Sequence, residues 1–244
     1  MNVAVKLFIT LRRASLLPLA LAMASAAAIA LVVVRCVVSH QFAYFNLVWN
    51  LSLAWLPLGF AFGAQRSSRS RGRFWLCAFL WLLFLPNSPY LVTDLVHLKP
   101  RPPVPFWFDI LLIQSFVWTG VLLGFVSLFL MQRQVSRSCG WRLGWGFTIV
   151  ITGLTGFGIY LGRFERWNSW DMFFRPLALA GHIWDVVRHP LLNRTAFGFS
   201  SLCASFLFLT YAAFYGATAL QRSSSISIAD GEAQNPHEDS GRET

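Results

Sequence analysis

Tyr90, Asp94 and His97 are the side chains whose types and spacing offer chemistry. They stand at i, i+4 and i+7, so a helix over 89–98 carries all three on one face. A carboxylate and an imidazole one turn apart can share a proton or hold a metal, which makes Asp94 and His97 candidate acid/base groups and candidate metal ligands. The plainer reading is solvation, with both groups meeting water at a helix end. Ionisable groups inside membranes usually serve function, but that rule applies only if these two lie deep enough.

These residues are positioned by the stretch Phe84-Leu-Pro-Asn-Ser-Pro-Tyr-Leu-Val-Thr-Asp-Leu-Val-His97. A run of twelve apolar residues, 74–85, leads into it and stops at Pro86. At 1.5 Å per residue that run covers roughly 18 Å, about two-thirds of a hydrocarbon core. Ser88 before Pro89 reads as a helix start, cap first and proline at the first helical position. Pro100, Pro102, Pro103 and Pro105 then forbid further helix. Such a break leaves the Phe84 and Leu85 carbonyls free, and free amides at the next helix start can hold an anion, as discontinuous helices do in transporters. Alternatively, the Asn87 and Ser88 side chains satisfy a simple kink.

The surroundings of the break are membrane helix. Of 244 residues 56% are hydrophobic and 12% charged, where soluble domains carry about 25% charged. Apolar runs long enough to cross a bilayer occur near 14–34, 43–64, 106–131, 143–161 and 196–220, and the broken stretch 74–98 makes a further span. The first exceeds the length of a signal peptide's apolar region and reads as an uncleaved span. The expected fold is an all-α polytopic transmembrane bundle of about six spans, with the third broken by prolines. An interfacial amphipathic helix lies between Pro176 and Pro190, before the last span. Residues 1–15 form a basic N-terminus, 16–220 the helical domain, and 221–244 a Ser-rich, then acidic tail expected to be disordered. Cys36, Cys77, Cys139 and Cys203 form no metal or disulfide pattern and read as small apolar residues.

The net charge of +10 comes from short Lys and Arg clusters between spans. That is a topology signal and argues against nucleic acid. The N-terminus, the 66–73 and 133–142 loops and the tail carry most of it, which places them in the cytoplasm. All five acidic residues ahead of the tail, Asp94, Asp109, Glu165, Asp171 and Asp185, then fall at the opposite, outer end. His40, His97, His182 and His189 join them there. Asp109 and Glu165 are therefore further acid/base or metal candidates. Asn87, Tyr90, Arg163, Arg166, Asn168 and Asp171 are candidates for ligand binding. Asn46, Asn50, Asn87 and Gln114 lie in the outer halves of their spans, where they can line an outward-facing cavity or act as interhelical glue. His182-x-x-Asp185-x-x-x-His189 approaches metal-ligand spacing but also suits the polar face of the amphipathic helix. Tryptophans 167 and 170 fit an aromatic belt with snorkelling arginines.

Nucleophile elbow, Walker loop, dinucleotide fingerprint and zincin motif are all missing, so the sequence names no cofactor. The segments 81–98, Trp107-Phe-Asp109, Ser115-Phe-Val-Trp-Thr-Gly120 and 156–171 resemble a bacterial family of membrane proteins, domain-of-unknown-function family 1361. The resemblance covers about 45–215 and rests on LPN-x-PY-x-x-TD-x-x-H and GR-x-x-RWNSWD. It implies a multi-pass protein of a bacterial cytoplasmic (inner) membrane and brings no activity with it. Three functions stay open: a site that binds or moves a small polar or anionic ligand, an embedded enzyme acting on a lipid-linked envelope substrate, and a non-catalytic subunit with a membrane-protein partner. The bilayer itself is the one partner common to all three.

Overall fold

The computed structural model describes the backbone of residues 3–67 and 70–234, with side chains described over 16–67 and 70–219. Among the described residues the structure is helical, with no strand. The order is α1 (Val3–Ser39), α2 (Phe45–Arg66), α3 (Arg71–Phe84), α4 (Asn87–Tyr90), a 3-10 helix (Leu91–His97), α5 (Phe106–Cys139), α6 (Trp141–Arg163), α7 (Asp171–Phe174), α8 (Pro176–Arg188) and α9 (Arg194–Gln234). Among the described residues six segments are long and apolar enough to cross a membrane: Leu16–Ser39, Phe45–Arg66, Arg71–His97, Phe106–Cys139, Trp141–Arg163 and Arg194–Ala219. The protein is a multi-pass membrane bundle. The expected boundary at 221 falls inside α9, whose backbone stays helical to Gln234. The rest of the expected tail, 235–244, lies outside the described residues.

Helix α5 is the hub. Of its most apolar window 67% is buried, against 11% for α9 at the rim. Helices α1, α2, the α4 segment, α6 and α9 all pack on it. In lipid, close packing replaces the hydrophobic drive between helices, so small residues mark the contacts. A methyl group on Gly120 of α5 would stand 2.6 Å from the Ser88 carbonyl and 2.4 Å from Leu91 Cδ1. The interrupted third span is thus pressed directly onto the hub.

The interruption is present and is mild. Leu85 and Pro86 keep right-handed helical torsions, as do Tyr90 and Leu91. Asn87 Nδ2 donates to the Phe84 carbonyl (2.9 Å), the Ser88 amide to Leu85 (3.1 Å) and the Tyr90 amide to Pro86 (3.0 Å). The free carbonyls expected at 84 and 85 are therefore occupied, and the kink reading holds. Ser88 is no helix cap; its hydroxyl crosses to the Ala54 carbonyl of α2 at 3.0 Å. Residues 91–97 wind as 3-10, with three residues per turn. Asp94 and His97 then stand one above the other.

Candidate functional site

The wound-up end of the third span forms one side of a cavity of about 360 Å³. Small-molecule sites occupy roughly 300–1,000 Å³. Pro86, Asn87, Tyr90, Asp94 and His97 make its floor. The N-terminal turns of α2 (Asn46, Trp49, Asn50, Leu53) and the C-terminal turn of α6 (Gly158, Leu161, Gly162, Arg163) make its walls. Residues 167–170 of the following loop reach across it, and Leu179 of α8 adds an apolar edge. Glycine permits this wall: a methyl on Gly158 would press to 2.6 Å from the Pro86 ring.

Asp94 is the buried centre, with 2% of its surface exposed. Asn50 Nδ2 donates to its Oδ2 at 3.0 Å, and the Arg163 guanidinium lies 3.5 Å from its Oδ1. The same guanidinium sits 3.1 Å from His97 Nε2. Arginine can only donate, so His97 accepts at Nε2 and carries its proton on Nδ1. Asn87 Nδ2 also donates to the Ser169 hydroxyl (2.9 Å), which itself donates to the Leu83 carbonyl (3.1 Å). That pair ties the covering loop to the floor. Trp49 and Trp170 meet edge to face across the mouth, with ring centroids 6.3 Å apart.

Of the sequence candidates, the cavity gathers Asp94, His97, Asn87, Tyr90, Arg163 and Asn168. It does not gather the others. Asp109 sits elsewhere at the same end, fully buried in a bidentate pair with Arg35: Nε to Oδ1 2.7 Å and Nη2 to Oδ2 3.2 Å. Ser39 and the Tyr44 ring complete its surroundings, with Arg35 and Arg101 each 5.0 Å from the ring centre. Burial and then the Asp109 charge raise the Tyr44 phenol above its ordinary pKa, with Arg101 and Arg35 opposing. Glu165 accepts from the Tyr160 hydroxyl (2.9 Å) and lies 3.4 Å from His182 Nε2. Asp171 accepts the Asn168 amide at 2.7 Å and opens α7. Arg166 is exposed, in a left-handed backbone turn. Gln114 does not line the cavity, whereas Asn46, Asn50 and Asn87 do.

Helix α8 corrects one expectation. His182 is half-buried, 31% exposed, against Glu165 and Trp167, whereas Asp185 and His189 are exposed. Leu177 and Trp184 on the apolar side of α8 are 87% and 64% exposed, as a helix lying at a lipid interface requires. The metal expectation finds no support in the geometry. Among the described residues no three His, Cys, Asp or Glu side chains form a metal-holding group. The nearest strong partner of Asp94 and His97 is a guanidinium, which repels a cation.

Sequence reasoning overlooked Arg35 and Ser169. Arg35 closes an apolar run, where an arginine ordinarily reads as a topology signal. An acid opening another span, as Asp109 does, was the signal that a buried cation had to exist. Ser169 carried no signal beyond its place in the RWNSWD motif.

Comparison with curated proteins and with solved structures gives no match. The family described as Protein of unknown function (DUF1361) matches residues 49–212, which is more than half of the chain and holds all of the cavity lining except Asn46. The chain belongs to that family.

Proposed function

We propose that this membrane protein presents an outward-facing site that binds a small, polar, net-neutral ligand. One observation carries the reading: four side-chain amides (Asn46, Asn50, Asn87 and Asn168) converge with Asp94, Arg163 and His97 on one ligand-sized cavity. Amides offer donors and acceptors together, as hydroxyl-rich ligands require. The formal charges of Asp94 and Arg163 cancel, which favours a neutral ligand over an anion that would meet a carboxylate. The outward direction rests on charge: basic loops flank the opposite end, which the positive-inside rule puts in the cytoplasm with both termini.

The enzyme reading keeps only Asp94 and His97, because Asp109 and Glu165 are engaged elsewhere. Both remaining groups are held by Arg163, an arrangement suited to recognition more than to proton transfer. The test is mass analysis of small molecules released from protein purified in lipid nanodiscs. Wild type is expected to release a polar molecule in stoichiometric amount. Asp94→Asn, with an unchanged thermal midpoint, is expected to lose it. Wild type with no such molecule would sink the binding reading, and turnover of the released molecule would establish the enzyme. Flux of that molecule into proteoliposomes would separate movement from binding.

A further inference from the structure

We infer that the ligand is the hydroxylated, uncharged headgroup of a membrane amphiphile, entering from the side of the bundle; this rests on the binding reading above. The first ground is the direction in which the cavity opens. Its floor, α4 and the 3-10 helix, has its back against the hub: Ser88, Pro89 and Leu91 face Gly120 and Gly124 of α5. The cavity therefore lies on the side of the floor away from the bundle centre, between α2 and α6. Trp49 stands at that periphery, 56% exposed although it lies within the second span.

The second ground is depth. The lining on α2 runs from Asn46 to Leu53, a span of seven steps or about 10 Å along the helix axis. On α6 it runs from Gly158 to Arg163, both inside the fifth span. A site of that depth crosses from headgroup level into the start of the hydrocarbon. Its chemistry changes in step. Asn46, His97, Arg163 and Asn168 stand near the helix ends, Asn50, Asn87 and Asp94 lie between, and Leu53 and Leu83 lie at the deep end. A free sugar or polyol would bury hydroxyls against those leucines, whereas a headgroup with an attached chain would match both ends.

The third ground is the covering segment. Phe174 and Leu177, beside the loop that roofs the cavity, are 79% and 87% exposed. Apolar side chains so exposed next to Arg175 suit the boundary of headgroup and acyl chain. The roof thus lies at lipid level. It is tied down by the Asn87–Ser169 hydrogen bond and the Trp49–Trp170 contact.

The test uses nanodiscs of phosphatidylcholine doped with either a neutral diglucosyl diacylglycerol or phosphatidylglycerol, with free maltose as the soluble comparison. Native mass spectrometry reads bound molecules on the released protein. The expected result is retention of the diglucosyl lipid about tenfold over both phospholipids, no displacement by maltose, and loss in Asn50→Leu. Thermal unfolding checks that this variant folds. Trp49→Ala, at an exposed position, is the second variant and is expected to weaken retention several-fold. Maltose binding without the diglucosyl lipid would overturn the amphiphile and leave the polar-ligand reading standing. Preference for phosphatidylglycerol would overturn the neutral headgroup. Binding of none of these, with no polar molecule released from the native preparation, would remove both readings.

Discussion

Two aspartate–arginine pairs stand at the same end of this bundle and differ in every physical respect. Asp109 and Arg35 meet through two hydrogen bonds, the shorter 2.7 Å, with 0% and 1% of their side chains exposed. Asp94 and Arg163 meet at 3.5 Å through one oxygen, and Arg163 keeps 18% of its side chain exposed. The first pair is closed on every side by α1, α5 and the Tyr44 ring. The second lines a cavity and leaves His97 and four amides within reach of a ligand. A sealed pair fixes helices, and a loose pair beside open space can exchange partners. The same two residue types thus do structural work in one place and offer recognition in the other.

The largest effect expected is at the sealed pair. Arg35→Ala leaves a buried carboxylate uncompensated and should cost about 3–5 kcal/mol, read as a fall in thermal midpoint in nanodiscs. Gly120→Ala comes next. The added methyl meets the Ser88 carbonyl, which is backbone and cannot rotate away. It should cost about 1–3 kcal/mol and weaken ligand binding, because the same segment carries the cavity floor. Asp94→Asn should change stability by no more than about 1 kcal/mol, since Arg163 can reach solvent, yet remove most ligand binding. A stability loss at Asp94 equal to that at Arg35 would erase the distinction between the pairs. Smallest is Glu165→Gln. Its contact with His182 is about one-third exposed on both sides, so stability should move by less than about 1 kcal/mol and ligand retention not at all.

The spans were legible because bilayer length and apolar composition leave little choice. The end of the bundle that gathers acids was legible from loop charge alternation, but sharing an end is not sharing a site. Asp94, Asp109 and Glu165 fall together in sequence logic and apart in space, because rotation about each helix axis decides which neighbour a side chain meets. Asn50 illustrates the favourable case: four residues after Asn46, it faces the same way and reaches Asp94. Gln114 illustrates the other, since nothing in its span told which side of α5 faced the cavity. The 3-10 winding of 91–97 was not legible. It changes which residues stack, bringing Asp94 and His97 one above the other. His182 is decided by the same rotation about a helix axis: on α8 it meets Glu165 while Leu177 and Trp184 stay exposed, as the interfacial helix expected there requires.

The most direct measurement is ligand occupancy of Asp94→Asn against wild type, by mass spectrometry of the protein released from nanodiscs, with thermal midpoint recorded on the same samples. The account predicts a polar ligand on wild type, at least about tenfold less on the variant, and midpoints that agree. Equal occupancy on both proteins, or an empty wild type, would contradict it.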